Sequence, residues 1–334
     1  MKVLIFSDLH LHNWNYGSTI VDGINSRLRD QARVLDQIAM YCEHNPVDHI
    51  VFGGDLFHTH GKIDAGVLKV AYEGIDRILE KSDVGMDLIV GNHDTADKSM
   101  AVHALHWIES FAQIKVVDTL THDSLFSYLP YTEDKVVIEK FFQDANPICF
   151  MHQGIAGVPM GSGFLINEAF SLDMVPDYVD QVFTGHYHKH SSPSDKVTVI
   201  GSTLQLTWAD EGDKRGFIIY DTGTGEIEHI ESVAPKFITW DCSNSTSGFV
   251  PQSHAQDNFI RAINYNDHEK DLIRTMCMDG GARSVEFMTE KTDAQTLKPI
   301  VTCDGYHLPD LVKAYEEQKN VTPERSKVGK ELMK

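Results

Sequence analysis

Lys2-Val3-Leu4-Ile5-Phe6-Ser7-Asp8-Leu9-His10 is a short apolar run that stops at polar residues. It reads as a buried strand whose carboxyl end delivers an acid and an imidazole. The arrangement repeats. His49–Phe52 reads as a second strand, closed by Gly53-Gly54-Asp55, and Met86–Val90 as a third, closed by Gly91-Asn92-His93-Asp94. Between them, Leu28, Val34, Leu35, Ile38 and Tyr41 fall at helical spacing, as do the apolar residues from Val67 to Leu79. A further helix is expected over Val102–Phe111. This β-α-β-α-β order predicts an α/β fold with a largely parallel sheet covered by helices.

The pattern then shifts to short strands, at Ile114–Val117, Ser124–Leu129, Ile148–Met151, Gln181–Thr184, Val197–Ile200, Gly216–Tyr220 and Glu226–Glu231. One helix, Glu133–Gln143, interrupts them. They predict a second, more antiparallel sheet packed on the first. Residues 1–235 thus form one domain. The stretch 236–257, rich in Ser, Gly and Asn, is expected to be a linker. Residues 258–334 then form a small α+β domain, with a strand at Phe259–Ile263, a helix at Glu269–Met278, a strand at Ser284–Met288 and a helix near 308–319. From Lys319 the tail carries five Lys/Arg against two Glu.

The chain has 334 residues and a formal net charge of −20. That balance argues against holding nucleic acid by a broad basic surface, though not against reaching a phosphate through bound cations or a partner. No run approaches the ~18 apolar residues of a membrane span, and the N-terminal apolar stretch is too short for a signal peptide. The expectation is a cytoplasmic protein without a membrane role. Five cysteines with no C-x-x-C pair argue against a disulfide framework or thiolate zinc site.

Five motifs end predicted strands: Asp8-Leu9-His10, Gly54-Asp55, Gly91-Asn92-His93-Asp94, Met151-His152 and Gly185-His186-Tyr187-His188. Ligands of open α/β sheets bind beyond the carboxyl ends of strands, so the motifs are expected to converge. Carboxylate, imidazole and amide donors without thiolate suit Mn, Fe or Zn. Asp8 and His10, two apart in extended backbone, would face one ion together, as would His186 and His188. Asp55 has two oxygens and can bridge two cations.

This ordered set resembles the calcineurin-like metallophosphoesterase superfamily over roughly residues 1–232. The resemblance implies a two-sheet sandwich flanked by helices (α/β/β/α). It also implies two divalent metal ions, one held by Asp8, His10, Asp55 and His188, the other by Asp55, Asn92, His152 and His186. His93 would assist the leaving oxygen, and Asp94 would orient His93. Gly54-Asp55-Leu56-Phe57-His58, and the stretch Gly201-Ser202-Thr203 through Lys214-Arg215-Gly216-Phe217, look like the SbcD-type double-strand-break-repair nucleases, most like phage-encoded members. In that branch His58 would help orient the scissile phosphate. The branch implies manganese, DNA as substrate, a homodimer and a coiled-coil ABC ATPase of SbcC type as partner. Two alternatives are a small-molecule or cyclic-nucleotide phosphodiesterase and a non-catalytic scaffold for an ATPase. Trp14, Tyr16 and Arg27 either stack on an unpaired base or pack a long loop. His12, His60 and His190 either line the site or sit in polar loops.

Overall fold

The computed structural model describes residues 1–96, 102–159, 168–244 and 250–288. In chain order its strands are β1 Lys2–Phe6, β2 Ile20–Val21, β3 Ile24–Asn25, β4 His49–Phe52, β5 Met86–Ile89 and β6 Ile114–Val117. Next come β7 Thr121–His122, β8 Ser127–Leu129, β9 Ile148–His152, β10 Gln181–Gly185, β11 Ser191–Ser194 and β12 Val197–Val199. The last are β13 Gly216–Asp221, β14 Ile227–Glu231, β15 Phe237–Asp241, β16 Phe259–Ile263 and β17 Ser284–Phe287. The helices are α1 Ser26–His44, α2 Ala65–Ser82, α3 Lys135–Gln143, α4 Gln252–Ala255 and α5 Lys270–Asp279.

Two six-stranded sheets, in the orders β14-β13-β1-β4-β5-β6 and β11-β12-β10-β9-β8-β7, form the expected sandwich. Strand alternation explains the layers. Along β1, Val3 and Ile5 face the second sheet and meet Phe150 and Phe183. Leu4 and Phe6 face the other way, into the core under α1 and α2 with Leu35, Ile38, Ile75 and Ile78. Ile138, Phe141 and Phe142 of α3 cover the outer face of the second sheet over Cys149, Met151 and Val182. Helix α1 begins at Asn25, whose side chain accepts the Arg27 and Leu28 backbone N–H groups; helix α2 begins at Asp64, which caps Gly66 and Val67 in the same way.

The second sheet is not the more antiparallel one. Its β8/β9, β9/β10 and β10/β12 pairs are all parallel, and only the flanking β7/β8 and β11/β12 pairs are antiparallel. Gly216–Tyr220 and Glu226–Glu231 belong to the first sheet instead, β13 running antiparallel to β1. The reason is burial on both faces. Phe217 and Ile219 enter the helix-side core while Ile218 and Tyr220 enter the core between the sheets, so β13 requires an interior slot. Ile114–Val117 likewise pairs with β5, at the edge of the first sheet.

The helix expected over Val102–Phe111 is only a 3-10 turn, His106–Ser110. Upstream of it the His103 ring nitrogen takes the Leu105 N–H at 3.2 Å, a side-chain bond that competes with a helical start. Residues 236–257 carry β15 and α4. Strand β15 pairs with β16, and β16 with β17, in a three-stranded parallel sheet backed by Ile273 and Cys277 of α5. Phe237 is buried there, which is why this stretch is strand. All described residues belong to one compact unit, Met1–Glu290. The helix expected at 308–319 and the basic tail lie outside the described residues.

Candidate metal centre

The five motifs leave the carboxyl ends of β1, β4, β5, β9 and β10 and meet in one place. They do so by left-handed turns rather than extended backbone. Asp8 (φ 52°), His10 (φ 45°), Asp55 (φ 59°) and His186 (φ 80°) are four of the eight non-glycine residues with positive φ among the described residues. The expected extended Asp-x-His geometry is therefore corrected: each acid or imidazole is turned inward residue by residue. Such conformations cost on the order of 1–3 kcal/mol each and cluster at functional sites. Glycines make room for them. A Cβ on Gly54 (φ 104°) would lie 2.3 Å from His152 Nδ1, and one on Gly91 would lie 2.4 Å from the Asp55 backbone nitrogen.

Among the described residues three groups have ligand atoms that all lie within 4.8 Å of one another: His10–His58–His93 is at the rim, and Asp8–His10–His188 and Asp55–His152–His186 make the two candidate cation positions. Asp55 joins them. Its Oδ2 lies 3.6 Å from His10 Nε2 and 3.3 Å from His152 Nε2, while its Oδ1 accepts the His93 backbone N–H at 2.8 Å. Asn92 Oδ1 lies 3.1 Å from His152 Nε2 and 2.9 Å from His186 Nδ1. His10 Nε2 and His188 Nε2 face each other at 2.9 Å, two nitrogens aimed at a common point. Asp8, His10, Asp55 and His152 are buried, whereas Asn92, His93, His186, His188 and His58 form a part-exposed rim.

The electrostatics fit a cation site. Burial lowers the His10 and His188 pKa values and takes His186 to about 3, so these imidazoles are neutral, the form that ligates metals. Burial raises Asp8 to about 7, against the pull of His152 and with the push of Asp55. Burial also opposes ionisation of Asp55, but His152 above all holds its carboxyl well below the usual range. His152 rises to about 9 despite its burial, because of Asp55. His152 and Asp55, both buried and 3.3 Å apart, form an imidazolium–carboxylate pair at the centre of the cluster.

Residues 1–190, more than half the chain, match the family described as Calcineurin-like phosphoesterase. The chain belongs to that family. A protein of Invertebrate iridescent virus 3 named as a phosphoesterase (078R) is 27% identical over 185 residues, 51% of this chain and 52% of its own. The chain thus spans about half the length of that relative. Exonuclease subunit 1 of Enterobacteria phage T4 is 27% identical over 255 residues, 72% of this chain and 69% of its own. The SbcD component of nuclease SbcCD from Bacillus subtilis (strain 168) is 23% identical over 292 residues, 72% of this chain and 73% of its own.

In this phosphoesterase the His93 ring Nδ1 lies 2.7 Å from the His58 carbonyl, so Nδ1 carries the proton and Nε2 is left to exchange one. His93 stacks between His58 (centroids 5.5 Å) and His60 (4.8 Å). Burial, then the neighbouring His93, lowers His58 to about 4. Asp94 does not orient His93. Its carboxylate accepts four backbone N–H groups, from Asp55, Leu56, Phe57 and Gly91, at 2.9–3.2 Å. Burial and the Asp55 charge raise its pKa to about 7, and the Gly91 and Phe57 donors, with His152, oppose the rise. Asp94 therefore holds the loop that presents Asp55. Asp94 is itself buried, and the His58 carbonyl takes over the part expected of it.

Other expectations resolve as packing. Arg27 is buried, donates to the Tyr16 and Leu206 carbonyls at 3.1 and 3.0 Å, and lies over the Phe259 ring. Tyr16 bonds Glu286 at 2.7 Å. His190 donates to the Val199 carbonyl at 2.9 Å, away from the cluster. Trp14, by contrast, lies 4.4 Å from the His58 ring and backs the rim. The four described cysteines, Cys42, Cys149, Cys242 and Cys277, are buried free thiols. Among the described residues, no helix is long and apolar enough to cross a membrane. Beside His186 opens a cavity of about 820 Å³ lined by Tyr131, Glu133, Lys135, Glu168 and Ser171, none of which the motifs flagged.

Proposed function

We propose that this chain is a metal-dependent DNA nuclease of the SbcD type, acting as an exonuclease on duplex DNA and an endonuclease on single strands. The observation that carries the reading is the Asp55 carboxylate, placed within 3.6 Å of His10 on one side and 3.3 Å of His152 on the other. One divalent cation would take Asp8, His10, Asp55 and His188, and the other Asp55, Asn92, His152 and His186. Manganese suits this mixed carboxylate, imidazole and amide set. Two such ions, when bound, neutralise phosphate oxygens and make water a better nucleophile. The chain's own residues do the rest. His93, pinned at Nδ1, presents Nε2 to the departing oxygen and, as the imidazolium, gives it the Nε2 proton while keeping the one on Nδ1. His58, stacked on His93 at the rim, orients the phosphate. Asp94 fixes the loop that carries Asp55.

Two relatives named as an exonuclease and a nuclease subunit support DNA as substrate and work within an assembly. The partner we propose is a coiled-coil ABC ATPase of SbcC type, in DNA repair or recombination in the cytoplasm, the host's if the chain is phage-encoded. A −20 chain benefits from a partner that supplies basic surface. Exposed Leu68 and Tyr72 on α2, next to Trp107 and Phe111, support a homodimer through that face.

The test is purified protein with end-labelled linear duplex and single-stranded DNA, in EDTA, Mg²⁺ or Mn²⁺, beside His93→Ala. Mn²⁺-dependent degradation lost in the variant is expected. The cavity beside His186 is of a size that small ligands fill, which favours a cyclic-nucleotide phosphodiesterase as the second reading. Faster turnover of a cyclic dinucleotide than of DNA would put that reading first, and activity unchanged in His93→Ala would remove the assigned role.

A further inference from the structure

One carboxylate faces the cluster from outside every motif. Glu168 Oε1 lies 3.8 Å from His186 Nε2 and accepts the Tyr187 hydroxyl at 3.2 Å. The other nitrogen of the same ring, Nδ1, lies 2.9 Å from Asn92 Oδ1, on the cluster side. The ring itself is set between Tyr131 and Tyr187, with centroids 5.4 and 5.7 Å away. Both nitrogens thus face oxygens, an amide oxygen of the candidate ligand set at Nδ1 and a carboxylate at Nε2, and only the carboxylate carries charge.

A neutral imidazole that ligates through Nδ1 keeps its proton on Nε2. At 3.8 Å the carboxylate is too far for a direct hydrogen bond, but its charge favours a proton on the near nitrogen. Tyr187, adjacent to His186 in the chain, holds that carboxylate through its hydroxyl.

We infer that Glu168 is a positioning residue for His186: its carboxylate selects the Nε2–H tautomer and so leaves Nδ1 as the ligating atom. The inference rests on the two-cation reading above and deepens it. It predicts an asymmetry, since Glu168 serves the cation of His152, His186 and Asn92 and not the one of Asp8, His10 and His188.

The test is Mn²⁺ titration calorimetry on the full chain, as wild type, Glu168→Gln, Glu168→Ala and Glu168→Asp, with circular-dichroism melts of each metal-free protein. Wild type is expected to take two Mn²⁺. Glu168→Ala is expected to weaken one of them by about 10–100-fold and leave the other unchanged. Glu168→Gln is expected to lose as much, because it keeps the shape but gives up the charge that acts across 3.8 Å, whereas Glu168→Asp keeps the charge and retains part of the affinity. Long-range proton–nitrogen NMR of the Zn²⁺-loaded protein is expected to show His186 as a single Nε2–H tautomer in wild type, and a mixture in Glu168→Gln and Glu168→Ala. Equal binding of both ions by every variant, with an unchanged tautomer, overturns the inference alone. A wild type that takes up no Mn²⁺ overturns the metal reading with it. If Glu168→Ala unfolds, the Gln and Asp pair decides by the same criteria.

Discussion

Asp55 and the residues that crowd it set the tolerance of the site. It sits at φ 59°, is buried, and lies between the two groups of ring nitrogens. Gly54→Ala would drive a methyl into His152 at a backbone angle that L side chains rarely adopt. We expect it to cost roughly 2 kcal/mol or more in urea unfolding and to abolish uptake of the cation next to His152. His93→Ala, by contrast, should bind metal like the wild type while losing about 10²–10⁴-fold in turnover, read by steady-state cleavage. The ligand candidates were legible in the sequence because each is the polar stop of an apolar strand. The turns that aim them were not, since Asp8-Leu9-His10 gives no sign that both acid and imidazole adopt positive φ. Nor was the role of Asp94, whose four partners are backbone amides and leave no mark on side-chain identity.

Among the elements, α1 is the one that ties the long loop after the first motif to the core. Its cap, Asn25, accepts the Arg27 N–H at 2.8 Å and donates to the Trp14 carbonyl at 3.1 Å, and Trp14 backs His58. Asn25→Ala should cost ~1 kcal/mol for the cap alone, measured by denaturant unfolding, with an added loss of turnover as the His58 wall loosens. Strand and helix positions up to Ile89 followed from apolar periodicity to within a few residues, because each has one buried face or two. Pairing did not follow. Nothing local distinguishes β13, which is drawn to β1 by burial on both faces, from a strand of the second sheet. The Val102–Phe111 stretch has helical spacing, but a histidine side chain takes the backbone N–H of Leu105. In the 236–257 stretch the Ser- and Asn-rich composition masks the apolar residues of β15.

The whole molecule carries −20 charges, so the isolated chain should bind duplex DNA weakly and with steep salt dependence. Fluorescence anisotropy across a salt series checks this, and tight binding at physiological salt would count against the need for an ATPase. At the joint between the sandwich and the three-stranded sheet, which the Arg283–Asp30 and Arg33–Asp257 ion pairs and the Tyr16–Glu286 bond also cross, sits one buried guanidinium. Arg27 spans the Tyr16, Gln205 and Leu206 carbonyls and the Phe259 ring. Arg27→Ala should destabilise by roughly 3–5 kcal/mol in chemical unfolding, because it empties a filled site and strands those carbonyls.

The division of the candidate ligands between the sheets has a mechanical side. Asp8, His10, Asp55 and Asn92 follow strands of one sheet, and His152, His186 and His188 follow strands of the other. Where the sheets meet at this end, the protein atoms that join them include His152 on the Gly53 carbonyl, the His186 N–H on Asp8, Asn92 beside His152 and His186, and the Tyr131 N–H on the Val90 carbonyl. Ions seated there would act as rivets along a seam. Adding Mn²⁺ at a hundredfold excess over its dissociation constant should then raise stability by about 2.7 kcal/mol per site. Chelation should open the seam first, with amide exchange quickening at the ends of β9 and β10 while α1 and α2 stay protected. An enzyme built this way would lose its grip on its own halves in the same step as it loses the means to cut.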